Sequence, residues 1–170
     1  MLAASVNDAT FRNALACGAC LEVRGTFTTG TVTVRVVDRA GGNGGILLTR
    51  AAMDQISPGG SSVRVDWRLV PCETAERPVR YYVKEDSNSG YVGIQVRDSR
   101  YPVAKMSAVG STTTLPLTLQ SYNYWTSSTL GLGTVTLRIT DLNGQVLDDP
   151  GIVVRPRAET AGRAQFPRCR

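Results

Sequence analysis

"SNSGYVGIQVRDSRYPV", residues 87–103, sets the class of fold. Val92, Ile94 and Val96 recur at every second position, with Gly93, Gln95 and Arg97 between them. Successive side chains of a β-strand point to opposite faces, so this period of two describes a strand with one buried face. Asn88, Ser89 and Gly90 before it and Asp98, Ser99 and Pro102 after it are turn formers. With the valines and isoleucine turned toward a core, Tyr91 falls on the wet face, where packing supplies no reason for an aromatic ring.

The same alternation runs through the rest of the chain. "TVTVRVV" (31–37) sets Val32, Val34 and Val36 against Thr33 and Arg35, and "VRVDWRLV" (63–70) sets Val63, Val65, Trp67 and Leu69 against Arg64, Asp66 and Arg68. Trp67 is therefore expected in a core. Between them "TRAAMDQI" (49–56) reads as a short helix with Thr49 at its N-cap and Pro58 beyond its end, and a second helix is expected over 8–15, capped by Asn7 or Asp8. From Val79 onward only strands are expected, over 79–84, 91–97, 101–107, 115–119, 134–140 and 151–155, with an Asn-Gly hairpin in "DLNGQ" (141–145). In "QSYNYWTSS" (120–128) Tyr124 and Trp125 alternate faces, and Trp125 is assigned to the core. Short strands at this spacing describe an antiparallel sandwich. The expected division is a mixed domain over 1–73, a linker over 74–78 and an all-β domain over 79–170.

The 170 residues are 42% hydrophobic and 19% charged, enough apolar material for a packed core, and no stretch is long and apolar enough for a membrane span. The net charge of +5 is scattered and never forms a dense run, so neither nucleic acid nor a membrane is expected as partner, and a polyanionic polysaccharide such as pectin fits the charge as well. There is no histidine, which removes Ser-His and Cys-His nucleophile pairs and the commonest zinc ligand. Of the four cysteines, Cys17 and Cys20 have redox-motif spacing, but "CGAC" runs into the strand-like "LEVRG" and no second close pair completes a zinc ribbon. A structural disulfide, and hence an exported protein, is the better reading. No metal or cofactor is expected. The glycine run "GGNGG" (41–45) lacks the Lys-Ser/Thr of a phosphate cradle and reads as a flexible groove-edge loop.

Taken in order, "CGACLEVRG", "TVTVRVVDRAG", "VRVDWRLVPC", "GYVGIQVRDSRYPVAKM", "LGTVTLRITDLNGQVL" and "AQFP" resemble the expansins, the microbial expansin-like proteins most of all. The resemblance implies a mainly β fold: a double-psi β-barrel, incomplete here, followed by an immunoglobulin-like antiparallel β-sandwich that binds cellulose. It implies a secreted, extracellular protein that loosens plant cell walls without hydrolysis. In the family a further segment with the first barrel strand precedes the part matching "NDATFRNALACGAC", so an unpaired sheet edge is expected. The molecule is then a monomer, or a dimer if a neighbouring chain completes the barrel. By analogy with plant members, Cys20 pairs with Cys72, leaving Cys17 to a missing partner or to Cys169.

The family's barrel groove has one Asp matching Asp38, while Leu47 stands where the second, aligned with the general acid of related endoglucanases, would be. The family's aromatic after the first Asp is Ala40 here. Inverting glycoside hydrolysis needs an acid and a base on opposite sides of the scissile bond, so a lone Asp38 cannot run it. Read from the residues alone, Asp38 serves equally as a turn residue accepting backbone hydrogen bonds. The family's three-ring sugar platform falls on Gly90, Tyr91 and Tyr122, one ring being lost to glycine, with Lys84 beside it and Tyr124 as a further candidate. Arg97 and Arg100 read as solvated charges. The leading function is non-hydrolytic binding of cellulose and matrix polysaccharides with wall loosening. The alternatives are a wall hydrolase related to the barrel endoglucanases, and a carbohydrate-binding module with a vestigial barrel.

Overall fold

The computed structural model describes residues 2–40 and 45–169. The glycine run expected as a groove-edge loop lies, apart from Gly45, outside the described residues. The chain forms two compact units, Met1–Arg12 with Ala16–Cys72, and Asn13–Leu15 with Glu73–Arg170.

The first unit contains β1 (Ala3–Val6), α1 (Asp8–Phe11), β2 (Cys20–Gly25), β3 (Thr31–Arg39), β4 (Ile46–Leu48), α2 (Arg50–Ile56) and β5 (Val65–Val70). One sheet runs in the order β4-β1-β3-β2-β5, with β1 parallel to β3 and the other pairs antiparallel. Leu21, Val23, Val32, Val34 and Val36 fill its buried side together with Ala52 and Ile56 of α2. Gly30 lets the β2–β3 hairpin lie against that helix, since a Cβ there would sit 2.3 Å from the Gln55 carbonyl oxygen.

Several expectations are corrected here. Residues 3–6, given no element by the sequence, form β1 between β3 and β4. The helix expected over 8–15 stops at Phe11, because Arg12, Asn13 and Ala14 all take positive φ; Asn7 caps it, accepting from the Thr10 N–H. Thr49 precedes α2 but makes no side-chain cap; its hydroxyl instead accepts from the Ala3 N–H. Trp67 and Leu69 are not core, being 44% and 41% exposed. Their partners Val23 and Leu21 across the ladder are buried, so the phase is right. β5 is the last strand of that sheet, and the Trp67 and Leu69 side chains stay partly open to solvent.

The second unit is all β: β6 (Arg80–Val83), β7 (Val92–Arg97), β8 (Val103–Val109), β9 (Thr114–Leu119), β10 (Trp125–Ser127), β11 (Gly133–Asp141), β12 (Val146–Val154) and β13 (Glu159–Ala161). The order is β12-β11-β8-β9-β10-β7-β6-β13. Strand β9 serves both halves, pairing with β8 through Thr114–Leu117 and with β10 through Thr118 and Leu119. One core holds residues from both halves, including Tyr81, Ile94 and Trp125 from one and Met106, Leu137 and Ile152 from the other. Alternating inward residues of the two halves thus share a single apolar interior.

Most polar groups inside that unit are partnered, the Arg100 Nε and Gln145 Oε1 atoms being buried without a hydrogen bond. The buried Asp149 accepts from the Tyr81 hydroxyl at 2.6 Å and from the Arg163 N–H at 2.6 Å. Asp141 accepts from the N–H groups of Asn143 and Gln145, closing the Asn-Gly hairpin where the sequence placed it. Arg100 is not a solvated charge: it is 2% exposed and donates to the Phe166 carbonyl, the Thr74 hydroxyl and the Glu76 carboxylate.

Candidate functional site

The outer face of β6, β7 and β10 gathers the aromatic residues. Because Val79, Tyr81 and Val83 point inward, Tyr82 and Lys84 point outward, and the register sets Tyr82 beside Gln95 and Thr126 beside Gly93. Two turns bring in the other rings. Before β7, Asn88 and Tyr91 bridge, with the Asn88 N–H donating to the Tyr91 carbonyl at 2.7 Å, and the Asn88 side chain accepts from the Gly90 N–H. This fixes the backbone that carries Tyr91. Before β10, the Gln120 N–H donates to the Tyr124 carbonyl, and Asn123 takes a left-handed φ of 63°, which puts Tyr122 at the tip of the turn.

The Tyr91 and Tyr122 hydroxyls lie 3.2 Å apart. Tyr122 is 51% exposed, whereas Tyr91 is half-buried. Tyr122 and Tyr124 have ring centroids 6.0 Å apart at 42°. Burial, and then the hydrogen bond to Tyr122, pushes the Tyr91 phenol up to about 12, so it stays a neutral donor and acceptor. Burial raises Tyr124 as well, with Tyr82 adding to it.

Gly93 is not an open floor beside Tyr91. It is buried, and a Cβ there would meet Lys84 Cβ at 3.2 Å, Lys84 Cδ at 3.3 Å and the Tyr124 ring at 3.5 Å. The lysine stem and the tyrosine ring occupy the space that glycine leaves. The Lys84 ammonium is held by Asp86 at 2.5 Å, and that hydrogen bond raises its pKa. Gly90 is exposed in its turn and brings no ring.

The sequence reading missed Tyr82 and misjudged Arg97. The Arg97 guanidinium lies 4.0 Å from the Tyr82 ring centroid and donates to Gln95 and Glu159. The alternation of "VRYYV" (79–83) carries the signal for Tyr82, since two adjacent tyrosines on a strand cannot both face the core.

In the first unit, Asp38 is exposed and accepts from the Arg39 N–H at 2.7 Å. It pairs across the sheet with Ser5, which pairs in turn with Leu47. Leu47 is 67% exposed, so the row that starts at Asp38 ends in an apolar side chain open to solvent. Cys20 and Cys72 form a disulfide, while Cys17 and Cys169 are both free thiols, so the pairing considered for them is not made. Burial, with Asp38 adding to it, pushes the Cys17 thiol up. Among the described residues no cluster of His, Cys, Asp or Glu suits a metal ion.

Comparison with known proteins agrees with this architecture. The model of the Barwin family matches residues 2–72. The whole chain is similar to Expansin-YoaJ of Bacillus subtilis, 31% identical over 96% of this chain and 72% of that protein. Expansin-like protein 1 of Dictyostelium discoideum is 24% identical over 98% of this chain and 62% of its own length. Among solved structures, the expansin of Clavibacter michiganensis superposes with a TM-score of 0.88 at 26% identity, covering 99% of this chain and 84% of that one. A mutant of the same protein in complex with cellohexaose superposes equally well.

Proposed function

The chain belongs to the expansin family, and we propose that it is an exported, non-hydrolytic protein that binds cellulose through the outer face of β6, β7 and β10 and loosens plant cell walls. The carrying observation is the convergence of Tyr91, Tyr122 and Tyr124, from two separate turns, on one exposed face. A pyranose ring presents an apolar C–H face, so a glucan desolvates against such rings while its hydroxyls keep hydrogen-bond partners. Lys84 and the tyrosine hydroxyls stand at the rim to receive them. The neighbour's cellohexaose complex makes a β-glucan the natural ligand class.

Loosening in this reading means displacing noncovalent contacts between glucan chains. Leu47, two strands from Asp38 across Ser5, speaks against hydrolysis, because protonation of a leaving glycosidic oxygen and activation of water require two carboxyl groups. The scattered positive charge adds a weaker attraction for acidic matrix polysaccharides such as pectin.

The experiment is retention on insoluble cellulose with reducing-sugar release and creep of heat-inactivated wall under load measured alongside. Retention and creep without sugar release are expected. Retention without creep would leave a binding module, and sugar release lost in Asp38→Asn would establish a hydrolase. Joint replacement of Tyr91 and Tyr122 by Ala is expected to weaken retention severalfold or more, each ring being worth about 1–3 kcal/mol by analogy with base–aromatic stacking. Unchanged retention would remove this face from the mechanism.

A further inference from the structure

The outer face of β6 and β7 continues past the three tyrosines that converge on it. Strand β7 lies between β6 and β10. Gln95 on β7 pairs with Tyr82 on one side, and because Ile94 pairs with Trp125, the residue beside Gln95 on the other side is Tyr124. Their chain neighbours Tyr81 and Trp125 are buried, so Tyr82 and Tyr124 both belong to the outer face. Two strand spacings separate their backbones, about 10 Å. That is close to the repeat of cellobiose, after which a glucan chain presents the same face again.

Arg97 closes the far end of this row. Its guanidinium lies 4.0 Å from the centroid of the Tyr82 ring, its Nε donates to Gln95 at 2.9 Å and its Nη1 to Glu159 at 2.8 Å. The group is held on one face and at two edges, while its Nη2 has no hydrogen-bond partner among the described residues and the side chain is 36% exposed. Exposed ion pairs contribute little to stability, so fastening β13 to its neighbours is a weak reason for so fixed a group. What the arrangement supplies is preorganisation, since a ligand landing there has no long side chain left to immobilise. A guanidinium is flat and weakly hydrated, so it can lie against an apolar C–H face as a ring does while its remaining N–H groups meet hydroxyls. The local charge is balanced, because Arg80 and Arg97 are met by Asp98 and Glu159. A uronate carboxylate finds no uncompensated cation here, whereas a neutral sugar finds donors and acceptors side by side.

We propose that Tyr82, Gln95 and Arg97 form a further sugar subsite that continues the tyrosine platform across β7 toward β13, so that this face holds a neutral glucan longer than Tyr91, Tyr122 and Tyr124 cover. The proposal rests on the reading of that face as a glucan surface. The Arg97 guanidinium, backed by the Tyr82 ring, serves as the flat element of the subsite, and its Nη2 and the Gln95 amide receive the hydroxyls. Tyr124 lies between the subsite and Tyr122, whose ring centroid is 6.0 Å from its own. The resulting track is continuous although Gly90 contributes no ring.

Calorimetric titration of the intact chain with cellotriose, cellohexaose and hexagalacturonate tests this. Cellohexaose is expected to bind more tightly than cellotriose, and Arg97→Met and Tyr82→Leu are each expected to shrink that ratio severalfold. Tyr82→Phe, which keeps the ring behind the guanidinium, is expected to retain it. Tyr122→Ala is expected to weaken both cello-oligosaccharides. A merely structural role for Tyr82 and Arg97 would move both affinities together and leave their ratio unchanged. Should the Leu and Met variants misfold by circular dichroism, nitrogen-15 NMR of the unaltered protein decides: the Arg97 Nε resonance is expected to move with cellohexaose and to stay in place at saturating cellotriose. An unchanged ratio in both variants, or an Arg97 resonance indifferent to cellohexaose, overturns the subsite and leaves the tyrosine platform standing if Tyr122→Ala still weakens binding. Binding indifferent to Tyr122→Ala overturns the platform, and the subsite as its continuation falls with it. Hexagalacturonate binding that is lost in Arg97→Met while cellohexaose binding is kept overturns the assignment to a neutral sugar.

Discussion

Tyr91 has a hydroxyl shared with Tyr122 and a phenol raised above its ordinary 10.0. A raised phenol favours the neutral form in the folded protein, so its contribution is complete below pH 10 and is lost as pH rises through about 12. Carbon-13 NMR of the tyrosine ring carbons should show one resonance titrating near 12 that disappears in Tyr91→Phe, with cellulose retention flat up to pH 9 or so. Titration of that resonance near 10 would mean that the hydroxyl pair is not formed in solution. Strand phase put Tyr91 off the core face, and it is half-buried; Tyr122, 51% exposed, was named through the resemblance alone. The occupied space over Gly93 was not legible in the sequence, because it depends on where the Lys84 stem lies after β6 and β7 have paired. Arg97 and Arg100 make the same point: both read as solvated, yet one stacks on Tyr82 and the other is sealed inside.

Elements with a sustained two-residue period were visible in the chain: β3, β5, β7, β8 and β11 overlap their expected spans. The strands β1, β4, β10 and β13 were not, since three or four residues hold too little alternation to be told from a turn. Such strands exist because a neighbour's ladder recruits them. The disulfide acts at this level too, joining the start of β2 to the segment just past β5, where Cys20 already pairs with Val70. It closes a loop of 52 residues in sequence separation. Cys72→Ser is expected to lower the stability of the first unit by about 2–4 kcal/mol, measured by denaturant unfolding with the oxidised protein as reference. Equal stability would mean that the ladder between β2 and β5 already supplies the whole constraint.

For the molecule as a whole, many charges lie in surface ion pairs such as Arg80 with Asp98 and Arg138 with Asp148, and at the tyrosine face Lys84 is paired with Asp86. Binding to neutral cellulose should therefore rest on ring contact and change little with salt. Binding to de-esterified pectin should weaken steeply as screening shortens, the Debye length falling to about 3 Å at 1 M. Depletion assays on both polymers at low and high salt check this, and equal salt dependence would mean that charge also governs cellulose binding.

Trp67 and Trp125 mark the boundary between local pattern and packing. Both lie in phase with apolar neighbours, and in both cases the residue across the ladder, Val23 or Ile94, is buried. The order of residues was enough to establish a mainly β protein, which side of each long strand is apolar, the Asn-Gly hairpin and the family resemblance, because alternation and turn chemistry act between residues a few positions apart. It was not enough to establish that Trp125 is enclosed at 6% exposure while Trp67 remains at 44%. Enclosure depends on whether another layer or strand arrives from far along the chain, and that is settled only when the sheets assemble.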